Sequence, residues 1–106
     1  MARKPRARTE RRAQERATEK LARDRARLAV LEPGGAPERP IAVESASQVE
    51  VHAKALPCTR CDAELRVEAH EARTVGDQRL RVVRLACPRC GTRREAWFRL
   101  ASSLVN

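Results

Sequence analysis

The sequence predicts a small α+β protein in three parts: a basic helical arm over residues 1–31, a flexible linker over 32–47, and an antiparallel β unit over 48–106. Three observations carry this reading. All four cysteines fall into two Cys-x-x-Cys pairs separated by 25 residues. The first thirty residues are rich in Ala, Arg, Glu and Gln, which favour helix. Beyond residue 48 the apolar residues alternate with a period of two, as in strands with one covered face.

The arm has a thin apolar stripe, Ala7, Ala13, Ala17, Leu21, Leu28 and Leu31, set among charged residues. Glu15 and Glu19 stand three or four residues from arginines, so side-chain pairs support a single helix by a few tenths of a kcal/mol each. A heptad seam through Ala17, Leu21, Leu28 and Leu31 also takes in Glu10, Gln14 and Asp24, which argues against a stable coiled coil. Pro33-Gly34-Gly35 ends the helix near Leu31. Pro37 and Pro40 then keep the chain extended, and Ile41-Ala42-Val43 is too short to build on, so 32–47 reads as linker.

In the β unit, Val49, Val51 and Ala53 alternate with Glu50, His52 and Lys54 and predict a strand. Ala63, Leu65, Val67 and Ala69 predict a second, Val75-Gly76-Asp77-Gln78 a turn, and Leu80, Val82 and Leu85 a returning strand. The adjacent Val82 and Val83 imply a bulge or a strand covered on both faces. Thr92 to Leu100 closes the unit, with Ala96, Phe98 and Leu100 on one face and Trp97 and Arg99 on the other. His52 and His70 fall on the polar phase and read as solvated side chains.

Cys58, Cys61, Cys87 and Cys90 predict a four-thiolate metal site, because two residues between cysteines let one tight turn aim both sulfurs at one ion. Zn2+, one per chain, is the expected occupant, and a rubredoxin-like iron site with the same ligands is the alternative. A unit this small, with one Trp, one Phe and no Tyr, buries little area and needs the cohesion of a metal. No apolar run follows Met1 to serve as a signal peptide, so a cytoplasmic setting with reduced thiols is expected, and no stretch is long and apolar enough to span a membrane.

The order of these features, a Cys-x-x-Cys turn, a hairpin, Cys87-Pro88-Arg89-Cys90-Gly91 and a last strand, resembles the zinc-ribbon family over the C-terminal half of the chain. The four cysteines match that family's ligands, and Pro88 and Gly91 match the residues shaping its second metal turn. Thr59 stands where Pro is common, and Asp62 where Gly is. The resemblance implies a structural metal and a binding role in nucleic-acid or protein assemblies.

The net charge of +9 is uneven: residues 1–28 carry +7, 29–57 carry −2 and 58–106 carry +4. Arginine outnumbers lysine 20 to 3, which suits bidentate phosphate contacts; the alternative is that Arg merely replaces Lys, as it would in a GC-rich genome. Arg6, Arg8, Arg11, Arg12 and Arg16 of the arm, with Arg93, Arg94 and Trp97 of the last strand, are the candidate nucleic-acid contacts. The other reading of Trp97 is a core cap. No Ser/His/Asp set, phosphate-cradling loop or paired carboxylate is present, so the chain is expected to be no enzyme and to take no small-molecule substrate. The expected partner is nucleic acid or a nucleic-acid-processing protein; the alternative function is an adapter docking on a larger enzyme through the ribbon.

Overall fold

The computed structural model describes residues 6–101, so residues 1–5 of the arm and 102–106 of the β unit lie outside it. A long helix, α1 (Ala7–Leu31), is followed by a short strand β1 (Ile41–Val43), a helix α2 (Ala46–Lys54) and three strands, β2 (Arg66–Val75), β3 (Gln78–Ala86) and β4 (Arg93–Leu100). The protein is therefore a small α+β fold with the cysteines carried by a mixed, mostly antiparallel sheet.

α1 ends where Pro33 follows Glu32, whose backbone is extended (φ −80°, ψ 162°). The exit is tight. The Arg39 guanidinium donates to the Val30 carbonyl at 2.8 Å, satisfying one of the helix's terminal acceptors. Gly35 presses on the same turn: a Cβ there would meet the Ala29 carbonyl and lie 2.8 Å from Val30 Cα, so no side chain fits.

The segment expected as linker contributes to the sheet. β1 pairs in parallel with β4, Ile41 opposite Phe98 and Val43 opposite Leu100, giving the order β1-β4-β3-β2. Three residues suffice because they add to an edge that already exists. The sheet is thus not wholly antiparallel.

The strand expected over Val49 to Ala53 is instead α2. Val49 and Ala53, four residues apart, are both fully buried, whereas Val51 is 69 % exposed. A strand would place all three on one face; a helix puts Val51 on the far side. Ser45-Ala46-Ser47-Gln48 carries the sequence pattern of a capping box; the Ser45 side chain makes no cap bond, but the Gln48 Oε1 accepts the Glu44 N–H at 2.8 Å just before the helix. α2 lies against all four strands, and tertiary packing overrides the weak two-residue alternation.

β2 and β3 form a hairpin whose two-residue loop places Gly76 at φ 61°, a conformation that needs glycine in such a turn. The bulge lies in β2, at the register shift between Val67 and Ala69. β3 pairs with β4 in unbroken register and is covered on both faces. Val83 and Leu85 join Val43, Val49, Ala53, Leu65, Ala96 and Phe98 in the main core beneath α2. Leu80 and Val82 face the other way and form a second cluster with Trp97.

Candidate metal centre

Two turns of the same construction bring the cysteines together. In the first, the Cys58 N–H donates to the Ala63 carbonyl (3.0 Å) and the Asp62 N–H to the Cys58 carbonyl (3.0 Å). In the second, the Cys87 N–H donates to Thr92 (2.8 Å) and the Gly91 N–H to Cys87 (2.9 Å). The spacing is identical in both. Pro57 and Glu64 bridge the base of the first turn, and the ends of β3 and β4 hold the second.

Facing one another, these turns bring the four Sγ atoms within 4.8 Å of each other. The Cys58–Cys90 and Cys61–Cys87 sulfurs are 3.5 Å apart and the Cys61–Cys90 sulfurs 3.7 Å. Four sulfurs set ~2.3 Å from a tetrahedral centre are about 3.8 Å apart, so the donor set fits one metal ion. Cys58 and Cys87 are buried and Cys90 is exposed.

Backbone and hydroxyl groups supply the charge compensation a thiolate cluster needs. The Arg60 N–H points at Cys58 Sγ (3.4 Å), and Cys90 Sγ lies 3.1 Å from Thr92 Oγ1. Hydrogen bonds from the Thr92 hydroxyl and N–H bring the Cys90 thiol down to about 6. The N–H of Ala63 favours the thiolate of Cys61, but burial and hydrogen bonding among the sulfurs outweigh it and push that thiol up to about 12. Thr92 is a residue the sequence reading missed. Its position two residues past Cys90, matching Ala63 past Cys61, was the available signal.

The arm is not independent of this centre. Arg60, between the first two cysteines, pairs with Glu19 of α1, and Arg25 of α1 pairs with Asp62. The first pair holds the Glu19 carboxyl below the usual carboxylate range, through the Arg60 hydrogen bond first and its charge second. Neither tether was legible beforehand, because residues 41 and 37 apart are paired by the fold alone.

The candidate nucleic-acid contacts fall into three settings. Arg6 sits at the N-cap of α1, and Arg8, Arg11, Arg12 and Arg16 are exposed along it. Arg93 pairs with Glu68 at 3.2 Å. Arg94 turns inward and donates to the Pro57 carbonyl at 2.8 Å, tying β4 to the first cysteine turn, and burial lowers its pKa. Trp97 is 7 % exposed, and the Arg73 guanidinium lies over its ring at 5.6 Å, so the core-cap alternative describes its place. His52 is exposed on α2, but His70 is half-buried on β2, its Nε2 without a hydrogen-bond partner among the described residues. For His70 the solvated reading does not hold, since it stands opposite Val83, a residue of the main core, and is itself half-buried.

Comparison with protein-family models, with curated proteins and with solved structures gives no match to this chain. Among the described residues, no helix is long and apolar enough to cross a membrane.

Proposed function

We propose that this chain is a non-enzymatic zinc-ribbon binding module, in which Cys58, Cys61, Cys87 and Cys90 hold one structural Zn2+ and α1 contacts the phosphates of a nucleic acid. Four protein thiolates leave no coordination position for a reacting water, which supports a structural metal over a catalytic one. The ion supplies cohesion by clamping the two turns at one end of the sheet, and free thiols of this kind suit the reducing cytoplasm.

The observation that carries the nucleic-acid reading is a row of cations on one side of α1. Arg8, Arg12, Arg16 and Lys20 follow one another at four-residue intervals, with Arg23 and Arg27 continuing the same side, and all six are exposed. Four residues rise about 6 Å, so the row offers a positive charge at each turn over roughly 28 Å of helix. Arg8, Arg12, Arg16 and Arg27 form none of the ion pairs found among the described residues. Duplex DNA carries a charge every ~1.7 Å of axis, and such a row releases several counterions on binding.

The test is fluorescence anisotropy with labelled duplex and single strands across a salt series. Replacing Arg8, Arg12 and Arg16 by Gln should weaken binding alike for all sequences and reduce the slope of log K against log salt by about 2.7. Absence of salt-dependent binding by the intact protein at low ionic strength would reject the reading. Metal analysis of protein purified without added metal tests the centre separately: iron in place of zinc would redirect the function to redox chemistry.

A further inference from the structure

The four corners of the cysteine cluster are unequally covered. Cys58 and Cys87 are 1 % and 3 % exposed, Cys61 is half-buried, and Cys90 alone of the four is exposed. Its own turn leaves it open. Pro88, Arg89 and Gly91 are exposed as well, and a Cβ on Gly91 would meet nothing within 4 Å, so a small molecule can reach Cys90 from that side. Across the cluster, Cys90 Sγ lies 3.5 Å from Cys58 Sγ and 3.7 Å from Cys61 Sγ, both on the facing turn.

We infer that Cys90 is a site of oxidation by hydroperoxides, resolved by a cysteine of the facing turn, and that this reaction releases the metal. The inference rests on the reading of the cluster as a zinc site. Thiolate is the nucleophilic form of cysteine, and metal ligation keeps all four sulfurs in that form, so access decides which of them reacts first. The Cys90 sulfur attacks one oxygen of the peroxide. A sulfur–oxygen bond forms, the oxygen–oxygen bond breaks, and hydroxide leaves, or an alkoxide where the peroxide is organic. Cys90 is then a sulfenic acid. A facing thiolate attacks the Cys90 sulfur, forms a disulfide and expels hydroxide, so that two electrons pass from two thiolates to the peroxide. Cys58 is the nearest candidate, and its burial is no obstacle, because it needs to reach only Cys90. The disulfide removes two ligands at once. Two thiolates remain where a structural zinc site uses four, and the metal is lost.

The probe is hydrogen peroxide added to the full-length, zinc-loaded protein, with released zinc followed by a chromophoric chelator and sulfenic acid trapped by dimedone. At limiting peroxide, peptide mass mapping should place the dimedone on Cys90. Without dimedone it should find a disulfide from Cys90 to Cys58 or Cys61, with zinc released in step and taken up again after dithiothreitol. Cys90→His keeps a fourth ligand of a kind that structural zinc accepts and removes the reactive sulfur, so zinc release should slow by at least about tenfold. Undiminished release from that variant, loaded with zinc, overturns the inference. First labelling at Cys58, Cys61 or Cys87, or a disulfide within one turn, overturns it as well, and mapping of the unmodified protein decides this even where the variant fails to fold. Protein that carries no zinc before peroxide rejects the metal reading and the release step with it; protein that carries zinc and keeps it through excess peroxide rejects this inference alone.

Discussion

Asp62 and Gly91 occupy the same place in the two cysteine turns. Each is the fourth residue after the turn's first cysteine, each donates its N–H to that cysteine's carbonyl, and each has a positive φ, 61° and 79°. Glycine takes this geometry without strain, and Asp is among the few other residues that tolerate it. Asp62 adds a role glycine lacks, since its carboxylate holds Arg25 of α1. Asp62→Gly should therefore preserve or raise the stability of the metal-bound β unit while loosening the arm. Thermal unfolding followed by the single tryptophan, beside a spin-label distance from α1 to β2, checks both halves; a large loss of stability would show that the ion pair outweighs the backbone.

Metal removal should unfold the sheet and leave α1 helical. The two turns are joined across the cluster mainly by sulfur contacts, and a core of this size rarely holds without a staple. Chelation should move Trp97 emission to the red, as its cover of Leu80, Val82 and Arg73 is lost, with far-ultraviolet circular dichroism keeping the signal of α1. A protein retaining dispersed amide signals for 41–100 after chelation would show that the core suffices.

The helical identity of α2 is open to a direct comparison. Val49→Ala should destabilise by about 1.5–3 kcal/mol, because Val49 is fully buried between α2 and the sheet. Val51→Ala, on the exposed side, should change stability by less than about 0.5 kcal/mol. Equal losses at the two positions would restore the strand.

Gly35→Ala should disrupt the junction between α1 and the sheet. Its Cβ would enter the last turn of α1 at Ala29 and Val30, where the contact is backbone and cannot swing aside. Gly91→Ala, whose Cβ would meet nothing within 4 Å, bears only the left-handed strain of about 1–2 kcal/mol. Urea denaturation of the two variants should rank Gly35→Ala as the more damaging.

The Glu19–Arg60 tether has a pH signature. A carboxyl held below its ordinary value contributes stability that is present at neutral pH and is lost as pH falls through its lowered pKa, below the ordinary carboxylate range. The NMR titration midpoint of the Glu19 carboxyl should rise in Arg60→Gln, and an unchanged midpoint would show the pair is not formed in solution.

Much of the site was legible because its information is local. Cys-x-x-Cys fixes a turn within four residues, and the positive φ at positions 62 and 91 is announced by Asp and Gly. The β2–β3 hairpin was equally local, with Gly76-Asp77 between alternating runs. Val82 and Val83 even signalled the doubly covered β3. By contrast, Val49, Val51 and Ala53 satisfy both a strand and one edge of a helix, and the Ser45 to Gln48 capping pattern that separates them lies just before the segment.

By itself, then, the sequence determined the two cysteine turns, the long basic helix and the hairpin, since each rests on contacts a few residues apart. Only the tertiary structure decided that Ile41–Val43 completes the sheet beside β4, that α2 covers its inner face, and that Trp97 lies under Arg73. It alone tied α1 to the first cysteine turn through Glu19 and Arg25. These depend on which surfaces meet after the chain has closed on itself, and pairing across some forty residues leaves no periodic trace in composition or spacing.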